Sequence, residues 1–464
     1  MDDFLARIPQ VEPPKPRDSA LGILLRRGED GLEVFFGRRA RKSRFMPGHL
    51  AFPGGGMDAQ DEPGRDGAYA RCASRELQEE TGIHVAPESW IDVGERITPP
   101  MFPVRFRTRF FVAWWPEGAA IPSELPSPDE IDELSLRKPE EVLEEWRRGK
   151  CLLPPPCLPM LRELADTSPT PDLESLAASL RAANDLEQRL PRIEFGTEAW
   201  VLPVRTRTIP PATHTNVWMP GGERFVVIDP GSTEDAENER LLGVIRRRCE
   251  TGAQVEAVLL THHHPDHVGG AARLGRELGV EVRAHRATLD RVDLEGCATA
   301  TLEDDERIDL GGVSLRALWT PGHAPGHLAF AIEGTPALIS GDLVSGFSTI
   351  LVPPESGQMT AFLESLRRVA EGGFRKLLPA HGPPLPVKQV ERVLEHRLMR
   401  EGRVREALSA EWAPLNELAS RAYADVPETP EVLARMQAQA HLMRLEELGE
   451  AESSEGGTAW RTGG

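Results

Sequence analysis

Cysteine is scarce in this 464-residue sequence, and its distribution argues against thiolate metal sites. The five cysteines are scattered, and no two of them have the CxxC spacing: Cys72, Cys151, Cys157, Cys249 and Cys297. That spacing is typical of zinc ligands and of redox-active pairs, whereas an odd and scattered set fits a reducing compartment. We therefore expect a cytoplasmic protein whose metal sites use nitrogen and oxygen ligands.

The sequence also has no long apolar run and no excess of positive charge. No apolar segment is long enough to cross a bilayer, and the N-terminal residues lack the basic-then-apolar order of a signal peptide. Lysine and arginine total 54 against 73 aspartates and glutamates, which gives a formal net charge of −19. Because affinity for a phosphate backbone comes mainly from basic side chains, neither a membrane nor a nucleic acid is favoured as a partner.

The length predicts more than one domain, since single hydrophobic cores seldom grow beyond roughly 250–300 residues. Changes in composition predict six segments. A flexible tail (1–18) precedes a first α/β domain (19–166), and a linker helix (167–190) leads to a second α/β domain (191–385). A small helical domain (386–452) and a disordered tail (453–464) follow. Short strand-like runs that alternate with turns and helices are typical of a layered α/β sandwich. The fold class is therefore α/β with several domains.

The densest cluster of potential metal ligands lies in Thr261–Gly270, which has the sequence THHHPDHVGG. It contains His262, His264, Asp266 and His267 within six residues, directly after a short apolar run of strand type. A strand that ends in such a loop projects its ligands from a rigid edge, which keeps a metal site open to substrate. A histidine-rich surface loop is the alternative, but further candidate ligands follow at later strand ends.

The order of short motifs in the second domain closely resembles that of the metallo-β-lactamase superfamily. The motifs are Thr215-Asn216-Val217, Asp229-Pro230-Gly231, THHHPDH, Thr320-Pro321-Gly322-His323, Ser340-Gly341-Asp342 and Pro379-Ala380-His381-Gly382. The resemblance implies an αβ/βα sandwich and two ligand groups with one bridging carboxylate: His262, His264 and His323; Asp266, His267 and His381; and Asp342. Asp229 is expected to support the ligand loop.

The resemblance implies two Zn²⁺ ions at this site, with iron or manganese as substitutes, because five imidazoles and two carboxylates suit these metals. Two close metals lower the pKa of a bound water and polarise the bond under attack. Hydrolysis of an ester or thioester by a metal-bound hydroxide is the implied reaction. Asp266 would orient that hydroxide and is the candidate catalytic residue.

A glutamate-rich helix dominates the first domain. The pattern predicts a helix over Ala68–Thr81 that ends at Gly82, a residue type typical of helix C-termini. Glu76, Glu79 and Glu80 recur at i, i+3 and i+4, so their carboxylates share one face. A divalent cation such as Mg²⁺ or Mn²⁺ would offset their mutual repulsion. The alternative is an ordinary solvated acidic face.

Residues Arg75–Ile83 (RELQEETGI), with Phe52-Pro53-Gly54-Gly55 upstream, resemble the second half of the Nudix box. This box is the signature of hydrolases that cleave a diphosphate linked to another group. The resemblance implies an α/β/α sandwich, metal ligation by the three glutamates, and catalysis by Glu79 and Glu80. Arg75 would brace the loop below the helix, and Gly54 and Gly55 would contact substrate.

The first half of the Nudix box departs from the pattern. The upstream glutamate of the family would fall on Gly67, and the loop before the helix is longer than usual. Asp58, Asp61 and Glu62 are the candidates to replace that glutamate. The longer loop also resembles the branch that contains coenzyme A diphosphatases.

A basic stretch between the second strand and the glycine loop is a candidate site for a phosphorylated end of the substrate. Its basic residues are Arg38, Arg39, Arg41, Lys42 and Arg44. Arg44 is the one we assign to substrate binding, and an ordinary exposed basic turn is the alternative.

The helical segment 386–452 resembles the winged-helix-like tail of the lactamase-β-like branch, which includes enzymes that cut single-stranded RNA. Between Ser409 and Glu455 the sequence has ten acidic residues and three basic ones. A helix that contacts a nucleic-acid backbone usually has a clearer basic face. We therefore expect this segment to pack onto the neighbouring domain.

The sequence as a whole predicts a fusion of two metal-dependent hydrolases that act on small phosphorylated or ester substrates, and it sets no oligomeric state. Coenzyme A thioesters would unite the two sites, with the diphosphate cleaved at the Nudix site and the thioester at the dinuclear site. One alternative is an RNA-processing endoribonuclease whose Nudix domain acts on nucleotides. A further alternative makes the Nudix domain a non-catalytic ligand sensor, which the missing box glutamate would explain.

Overall fold

The structure, a computed structural model, describes residues 9–29, 31–43, 46–167, 172–189, 193–196, 199–347 and 349–463, with the backbone alone at 186–189. Within these residues the chain separates into two units. The first comprises Pro14–Trp200, and the second begins at Val201 and includes the described N-terminal residues before Pro14. The multidomain α/β prediction is confirmed, since both units combine sheets with helices.

A seven-stranded sheet forms the centre of the first unit. Its strands are β1 (Arg17–Gly28), β2 (Gly31–Arg39), β3 (Leu50–Ala51), β4 (Gly54–Gly56), β5 (Ile91–Ile97), β6 (Phe106–Trp114) and β7 (Ile131–Arg137). The path through the sheet is β3-β2-β1-β6-β5, with β4 paired to β1 and β7 paired to β2. Only β1 and β6 run parallel among these pairs in the described residues. β1 begins at Arg17, inside the segment predicted as a flexible tail.

Alternate residues of the central strands face opposite sides of this sheet, as the period of a β-strand requires. Leu24 and Phe35 belong to one buried core, whereas Ile23, Leu25 and Phe36 belong to the other. Helices cover both faces: α1 (Ala68–Thr81), α2 (Pro139–Arg147), α3 (Cys157–Ala165) and α4 (Leu173–Arg189), with 3-10 turns at Ala59–Asp61 and Pro87–Ser89. The result is the predicted α/β/α sandwich.

The segment predicted as a linker helix is part of the first unit. Leu176, Ala177 and Leu180 of α4 are buried in the core that contains Ile23. Asn184 of the same helix donates a hydrogen bond to Val93 O at 3.1 Å. The apolar face of α4 thus docks on the sheet of the first unit.

Two further sheets form the layers of the second unit. After a short strand, β8 (Ile193–Glu194), one sheet contains β9 (Ala199–Arg205), β10 (His214–Pro220), β11 (Arg224–Ile228), β12 (Gln254–Leu259), β13 (Val282–Ala284) and β14 (Thr299–Thr301). The other contains β15 (Arg307–Asp309), β16 (Ser314–Trp319), β17 (Leu328–Ile332), β18 (Ala337–Gly341), β19 (Lys376–Pro379) and β20 (Leu385–Pro386). The strands of each sheet lie side by side in sequence order.

The helices of these layers are α5 (Asp235–Glu250), α6 (Pro265–Val268), α7 (Ala271–Leu278), α8 (Arg286–Leu289) and α9 (Met359–Glu371). Every residue of β17 and β18 is buried, which is typical of strands covered on both faces. Phe362 and Leu366 of α9 cover one of those faces in a shared core.

The predicted ligands occupy loops that follow strands of both sheets. Asp229 follows β11, and the THHHPDH loop follows β12. His323, Asp342 and His381 come after β16, β18 and β19 in the same way. β11 and β12 run parallel in one sheet, and β18 and β19 run parallel in the other. The carboxyl ends of each pair therefore lie at the same edge of their sheet, and such edges commonly bind ligands in α/β folds.

The C-terminal segment contains three helices and a small sheet. Its elements are α10 (Lys388–Ala407), β21 (Ala413–Pro414), α11 (Leu415–Ala422), α12 (Glu431–Glu447), β22 (Ala451–Ser453) and β23 (Ala459–Thr462). The strands have the order β21-β23-β22 and pair in antiparallel fashion. The winged-helix-like assignment of this segment stays a prediction.

The segment 453–464, which was predicted to be a disordered tail, contributes to this small sheet in its described residues up to Gly463. Trp460 of β23 is 2% exposed and packs in a core with Leu418, Leu442 and Leu445. The polar and glycine-rich composition around it predicted disorder, but one buried aromatic ring and pairing to two strands are enough to order the segment.

Replacing Trp460 with alanine is expected to destabilise the C-terminal segment by about 3–5 kcal/mol, because the large cavity left by a buried aromatic ring does not collapse fully. Hydrogen exchange of amides in α10 and α12 against urea would measure the loss. Trp412→Ala is the matched control, since Trp412 is 46% exposed, and surface changes usually stay within about 0.5 kcal/mol. Equal effects of the two variants would contradict the prediction.

Candidate functional site

The seven side chains predicted as ligands of the dinuclear site come together and are all buried. We call His262, His264 and His323 the first ligand group, and Asp266, His267 and His381 the second. The donor atoms within each group lie within 4.8 Å of one another, and a third set of the same tightness joins His262, His267 and Asp342. Neighbouring sets that share ligands are what a pair of close cations requires.

The first ligand group points three ring nitrogens at one place. His262 Nε2 lies 3.0 Å from His264 Nδ1 and 3.2 Å from His323 Nε2. Burial and the neighbouring imidazoles hold the pKa of His262 and His264 well below the usual range. Both rings are therefore neutral and offer lone pairs, which is the form of histidine that binds metals.

Asp342 lies between the two groups. Its Oδ2 atom is 3.5 Å from His323 Nε2 and 3.6 Å from His267 Nε2, and its Oδ1 atom is 3.5 Å from His381 Nε2. One carboxylate thus faces nitrogens of both groups, as a bridging ligand must.

Asp266 completes the second group from the first turn of α6. Its Oδ2 atom lies 3.4 Å from His381 Nε2. Its backbone carbonyl accepts a hydrogen bond from Thr215 Oγ1 at 2.7 Å. A Cβ at Gly231 would stand 1.7 Å from that same carbonyl, so the glycine of the Asp-Pro-Gly motif is needed for the close approach of the two loops.

Asp229 holds the ligand loop through hydrogen bonds. Its carboxylate accepts from Thr261 N and Thr261 Oγ1, each at 2.7 Å, and from His267 Nδ1 at 2.9 Å. Since the Thr261 hydroxyl donates to Asp229, its oxygen accepts from His262 Nδ1 at 2.9 Å. These contacts fix both imidazoles with Nε2 directed inward, which is a common way to set the tautomer of a metal-binding histidine.

Two backbone carbonyls orient two further inward-facing rings. His323 Nδ1 donates to Leu351 O at 2.6 Å, and His381 Nδ1 donates to His214 O at 3.0 Å. His327 has a different place: its Nε2 atom accepts from the backbone N–H of Asp342 at 3.0 Å. The sequence did not indicate the two carbonyls, because a backbone acceptor has no residue signature.

The donor set fits a pair of cations. Among the residues that the structure describes, His267 Nε2 and Asp342 Oδ1 are buried without a hydrogen-bond partner, and such atoms are costly unless something satisfies them. Burial alone would lower the pKa of His267, but the carboxylates of Asp342, Asp229 and Asp266 raise it well above the usual value. Three buried carboxylates therefore favour added positive charge here, and nitrogen and oxygen donors suit zinc, iron or manganese.

The glutamate helix of the first unit packs against the glycine loop. Glu80 Oε2 accepts a hydrogen bond from Gly54 N at 2.9 Å. Gly54 has a φ of +144°, and a Cβ there would lie 2.2 Å from Ala20 O. A Cβ at Gly55 would lie 2.3 Å from Glu76 Oε2. Both positions therefore require glycine, because the loop passes directly over the carboxylates.

Arg75 links this helix to the lengthened loop. Its Nε and Nη2 atoms donate to the two carboxylate oxygens of Asp61 at 3.0 and 2.8 Å. Nη1 donates to Glu76 Oε1 and Glu79 Oε2, and Nη2 also donates to Gly56 O. Of the three candidates for the missing box glutamate, Asp61 is the residue that makes the bidentate pair, and its side chain is 2% exposed.

The three predicted glutamates differ in environment. Glu76 and Glu80 line a cavity of about 690 Å³, together with Gly54, Gly55 and an apolar wall. Glu79 is 55% exposed at its side chain and forms an ion pair with Arg75 at 2.9 Å. In the described part of the chain, the clusters of three ligand atoms within 4.8 Å are all at the histidine centre, so magnesium binding by the glutamate trio stays a prediction.

Burial changes the acidity of the two glutamates that line the cavity. It raises the pKa of Glu80 to about 8 and also raises that of Glu76. Burial makes it costly for these carboxyl groups to ionise, and a nearby cation would favour their charged form. Carboxylate oxygens are ligands that a hard divalent cation such as Mg²⁺ prefers. Arg44, the predicted substrate-binding residue, lies outside the described residues.

Comparisons with known proteins agree with both motif assignments. Residues 15–153 match the sequence model of the NUDIX domain, and residues 211–381 match that of the Metallo-beta-lactamase superfamily. The resemblances to both families are thereby confirmed.

Two curated relatives and one solved structure illustrate the matches. A Beta-lactamase-like protein 2 homolog of Caenorhabditis elegans is 27% identical over 46% of this chain and 72% of its own length. An Atrochrysone carboxyl ACP thioesterase of Passalora fulva is 30% identical over 42% of this chain, and the chain spans 57% of that relative. A NUDIX hydrolase structure from Alicyclobacillus acidocaldarius is 24% identical over 35% of this chain and 96% of its own, with a TM-score of 0.31.

In the described ranges, none of the helices combines the length and the apolar character needed to cross a bilayer.

Proposed function

Because this chain joins a NUDIX domain to a domain of the metallo-beta-lactamase superfamily, we propose that it is a bifunctional metal-dependent hydrolase of coenzyme A thioesters. The histidine centre would hydrolyse the thioester, and the glutamate site would cleave the diphosphate of coenzyme A or of its acyl form. Both families are hydrolases, and the finer choice of substrate is the proposal.

The observation that carries the proposal is the convergence of five buried imidazoles on two carboxylates, with the outer ring nitrogens of four of them, His262, His267, His323 and His381, already engaged. His267, His323 and His381 all direct Nε2 inward because Nδ1 donates to a fixed oxygen. When bound there, a pair of cations supplies Lewis-acid activation of a water and of the scissile carbonyl. These four rings need little rearrangement to bind, since their tautomers are already set.

Asp266 is placed to act on the attacking water. Its carboxylate lies at the centre with Oδ2 3.4 Å from His381 Nε2, and a carboxylate can both orient a water and accept its proton. The neighbouring imidazoles of His267 and His381 favour its charged form. They hold the pKa of Asp266 below the ordinary value although burial alone would raise it.

A thioester is the favoured substrate of the histidine centre on the strength of one relative. The Passalora fulva protein is named as a thioesterase that acts on an acyl carrier protein. A thioester of coenzyme A presents the same bond, and its diphosphate would suit the second site in the same chain.

The glutamate site has the features that diphosphate cleavage needs. Gly54 and Gly55 let the backbone approach the cavity without Cβ atoms in the way. Glu76 and Glu80 would hold a divalent cation that neutralises the diphosphate and positions the attacking water. Asp61 supplies the carboxylate at Arg75, so the absence of the usual glutamate no longer favours a non-catalytic sensor.

RNA is less favoured as a substrate because the basic residues of α10 are partly unavailable. Arg397 and Arg400 are 1% and 4% exposed. Arg400 donates to Asp425 at 2.6 Å. Contacts to phosphates come from accessible basic side chains, so two of the arginines that suggested a mildly basic helix do not contribute.

We also propose the cytoplasm as the compartment of the protein. All five cysteines are free thiols. Cys72, Cys151 and Cys157 are buried, and burial raises the pKa of the first and the last to about 12. Unreactive and unpaired thiols are typical of a reducing environment.

The test is turnover of coenzyme A and an acyl-coenzyme A, with Mg²⁺ and Zn²⁺ present and the products resolved by chromatography. We expect wild type to release both the free thiol and the diphosphate cleavage products. His264→Ala should abolish thioester hydrolysis alone, and Glu79→Gln should reduce diphosphate cleavage alone. If the metal-loaded chain forms neither product, the coenzyme A proposal is wrong, and cleavage of single-stranded RNA would then support the alternative.

A further inference from the structure

The carbonyl that orients His323 belongs to a short segment, Ile350–Val352, that the C-terminal helices also contact. Leu351 O accepts from His323 Nδ1 at 2.6 Å. The carbonyl before it accepts from Arg397 Nη2, and the carbonyl after it accepts from Gln437 Nε2 at 3.2 Å. Three consecutive carbonyls are therefore engaged, with the middle one at the ligand and the outer two at α10 and α12.

The three carbonyls alternate in direction. Two of them face the C-terminal helices and the one between them faces the histidine centre, which is the alternation that successive residues of an extended backbone show. The whole Ile350–Val352 segment is buried, at 7% exposure or less. A shift of the segment would therefore move Leu351 O and, with it, the imidazole ring of His323.

Arg397 and Gln437 act on this segment as one unit. Arg397 Nη1 donates to Gln437 Oε1, and the guanidinium lies 5.6 Å from the centre of the Phe362 ring. Arg397 is 1% exposed and Gln437 is 8% exposed. Burying polar side chains is costly unless they are hydrogen-bonded. Here the carbonyls of Ile350 and Val352 accept from Arg397 and Gln437, while Arg397 itself donates to Gln437 Oε1.

We infer that Arg397 and Gln437 are positioning residues of the histidine centre, through which the C-terminal segment sets the orientation of His323. The effect is confined to the first ligand group, because the second group is anchored elsewhere, on Asp229 and on His214 O. The inference rests on the proposed metal centre, and it assigns to the C-terminal segment a role in metal affinity.

The experiment measures Zn²⁺ affinity of each ligand group separately by competition with a chromophoric chelator. The His381→Ala chain isolates binding by the first group, and the His264→Ala chain isolates binding by the second. Arg397→Met or Gln437→Met is then introduced into each of these two full-length variants, and the affinities with and without it are compared. We expect first-group affinity to fall about 10–100-fold, the loss typical of removing support from a metal-binding histidine, and second-group affinity to stay within about threefold.

Arg400→Met is the matched control. Arg400 lies on the same helix and is also buried, but its guanidinium donates to Asp425 and Ala422 O within the C-terminal segment. This variant removes a buried arginine from α10 without touching Ile350–Val352. We expect it to leave the first-group affinity unchanged, and circular dichroism would verify that all three variants are folded.

Three results would overturn the inference. Unchanged first-group affinity in folded Gln437→Met, the milder of the two changes, means that the contact does not position His323. Equal losses at both groups, or a loss in Arg400→Met as large as that in Arg397→Met, mean a general packing role. Failure of the chain without substitutions to bind Zn²⁺ at either group would instead overturn the proposed function itself.

Discussion

Substitution of Asp266 by asparagine is expected to lower kcat/KM for thioester hydrolysis by about 10²–10⁴-fold, the contribution typical of a positioned general base. Asparagine keeps the shape of the side chain but removes the charge that the imidazoles of His267 and His381 favour. Diphosphate cleavage should stay close to the wild-type rate, since it uses the glutamates of the other unit. Product-resolved kinetics on acyl-coenzyme A at saturating Zn²⁺ would measure both activities.

Asp235→Asn is the control for this change. Asp235 is a residue of the same unit with a 96% exposed side chain, and surface changes usually alter free energies by less than about 0.5 kcal/mol, or about twofold in rate. If Asp266→Asn binds its full complement of metal and retains thioester hydrolysis within threefold of wild type, the assignment of Asp266 as the proton acceptor is wrong.

Asp61→Ala is expected to destabilise the first unit by about 3–5 kcal/mol, the loss typical of removing one partner of a buried ion pair. The side chain of Arg75 is only 14% exposed. The substitution removes the carboxylate that this buried guanidinium binds in bidentate fashion. Because Arg75 also positions Glu76 and Glu79, diphosphate cleavage should fall in parallel. Hydrogen exchange of α1 amides in urea and diphosphatase assays would measure the two effects.

Asp58→Ala is the matched control for Asp61→Ala. Asp58 belongs to the same loop, but it is 49% exposed and lies 3.9 Å from the Arg75 guanidinium. It caps the short 3-10 turn, and loss of such a cap costs about 1 kcal/mol. Similar losses in the two variants, or a loss below 1 kcal/mol for Asp61→Ala, would show that Asp61 is not the functional partner of Arg75.

The parts of the site that could be predicted are those whose chemistry is local in sequence. The THHHPDH loop places four ligands within six residues, and a strand precedes it, so the convergence of His262, His264 and His267 needed little long-range information. The glutamate helix was predictable for a similar reason, since the 3.6-residue period alone puts Glu76 and Glu80 on one face.

The parts that could not be predicted depend on partners that are distant in sequence. Arg397 belongs to a helix with alternating charges. Its guanidinium is buried and donates to the backbone carbonyl of Ile350, and no pattern within the helix reveals this contact. Trp460 lies among glycines and polar residues, and its burial together with the pairing of its strand to β21 and β22 orders the segment. Backbone acceptors such as Leu351 O are equally invisible, because every residue carries one.

The bidentate pair between Arg75 and Asp61 has a consequence for how this domain can diverge. A guanidinium binds a carboxylate through a planar fork. Arg75 therefore needs a carboxylate at the right position in space, and the distance of that carboxylate along the chain does not matter. Doubling the length of a flexible loop costs only about 0.6 kcal/mol in closure entropy. The loop between Gly56 and the start of the helix at Ala68 can therefore gain or lose residues while the brace survives, and such domains are better recognised by the spatial pair than by a fixed spacing.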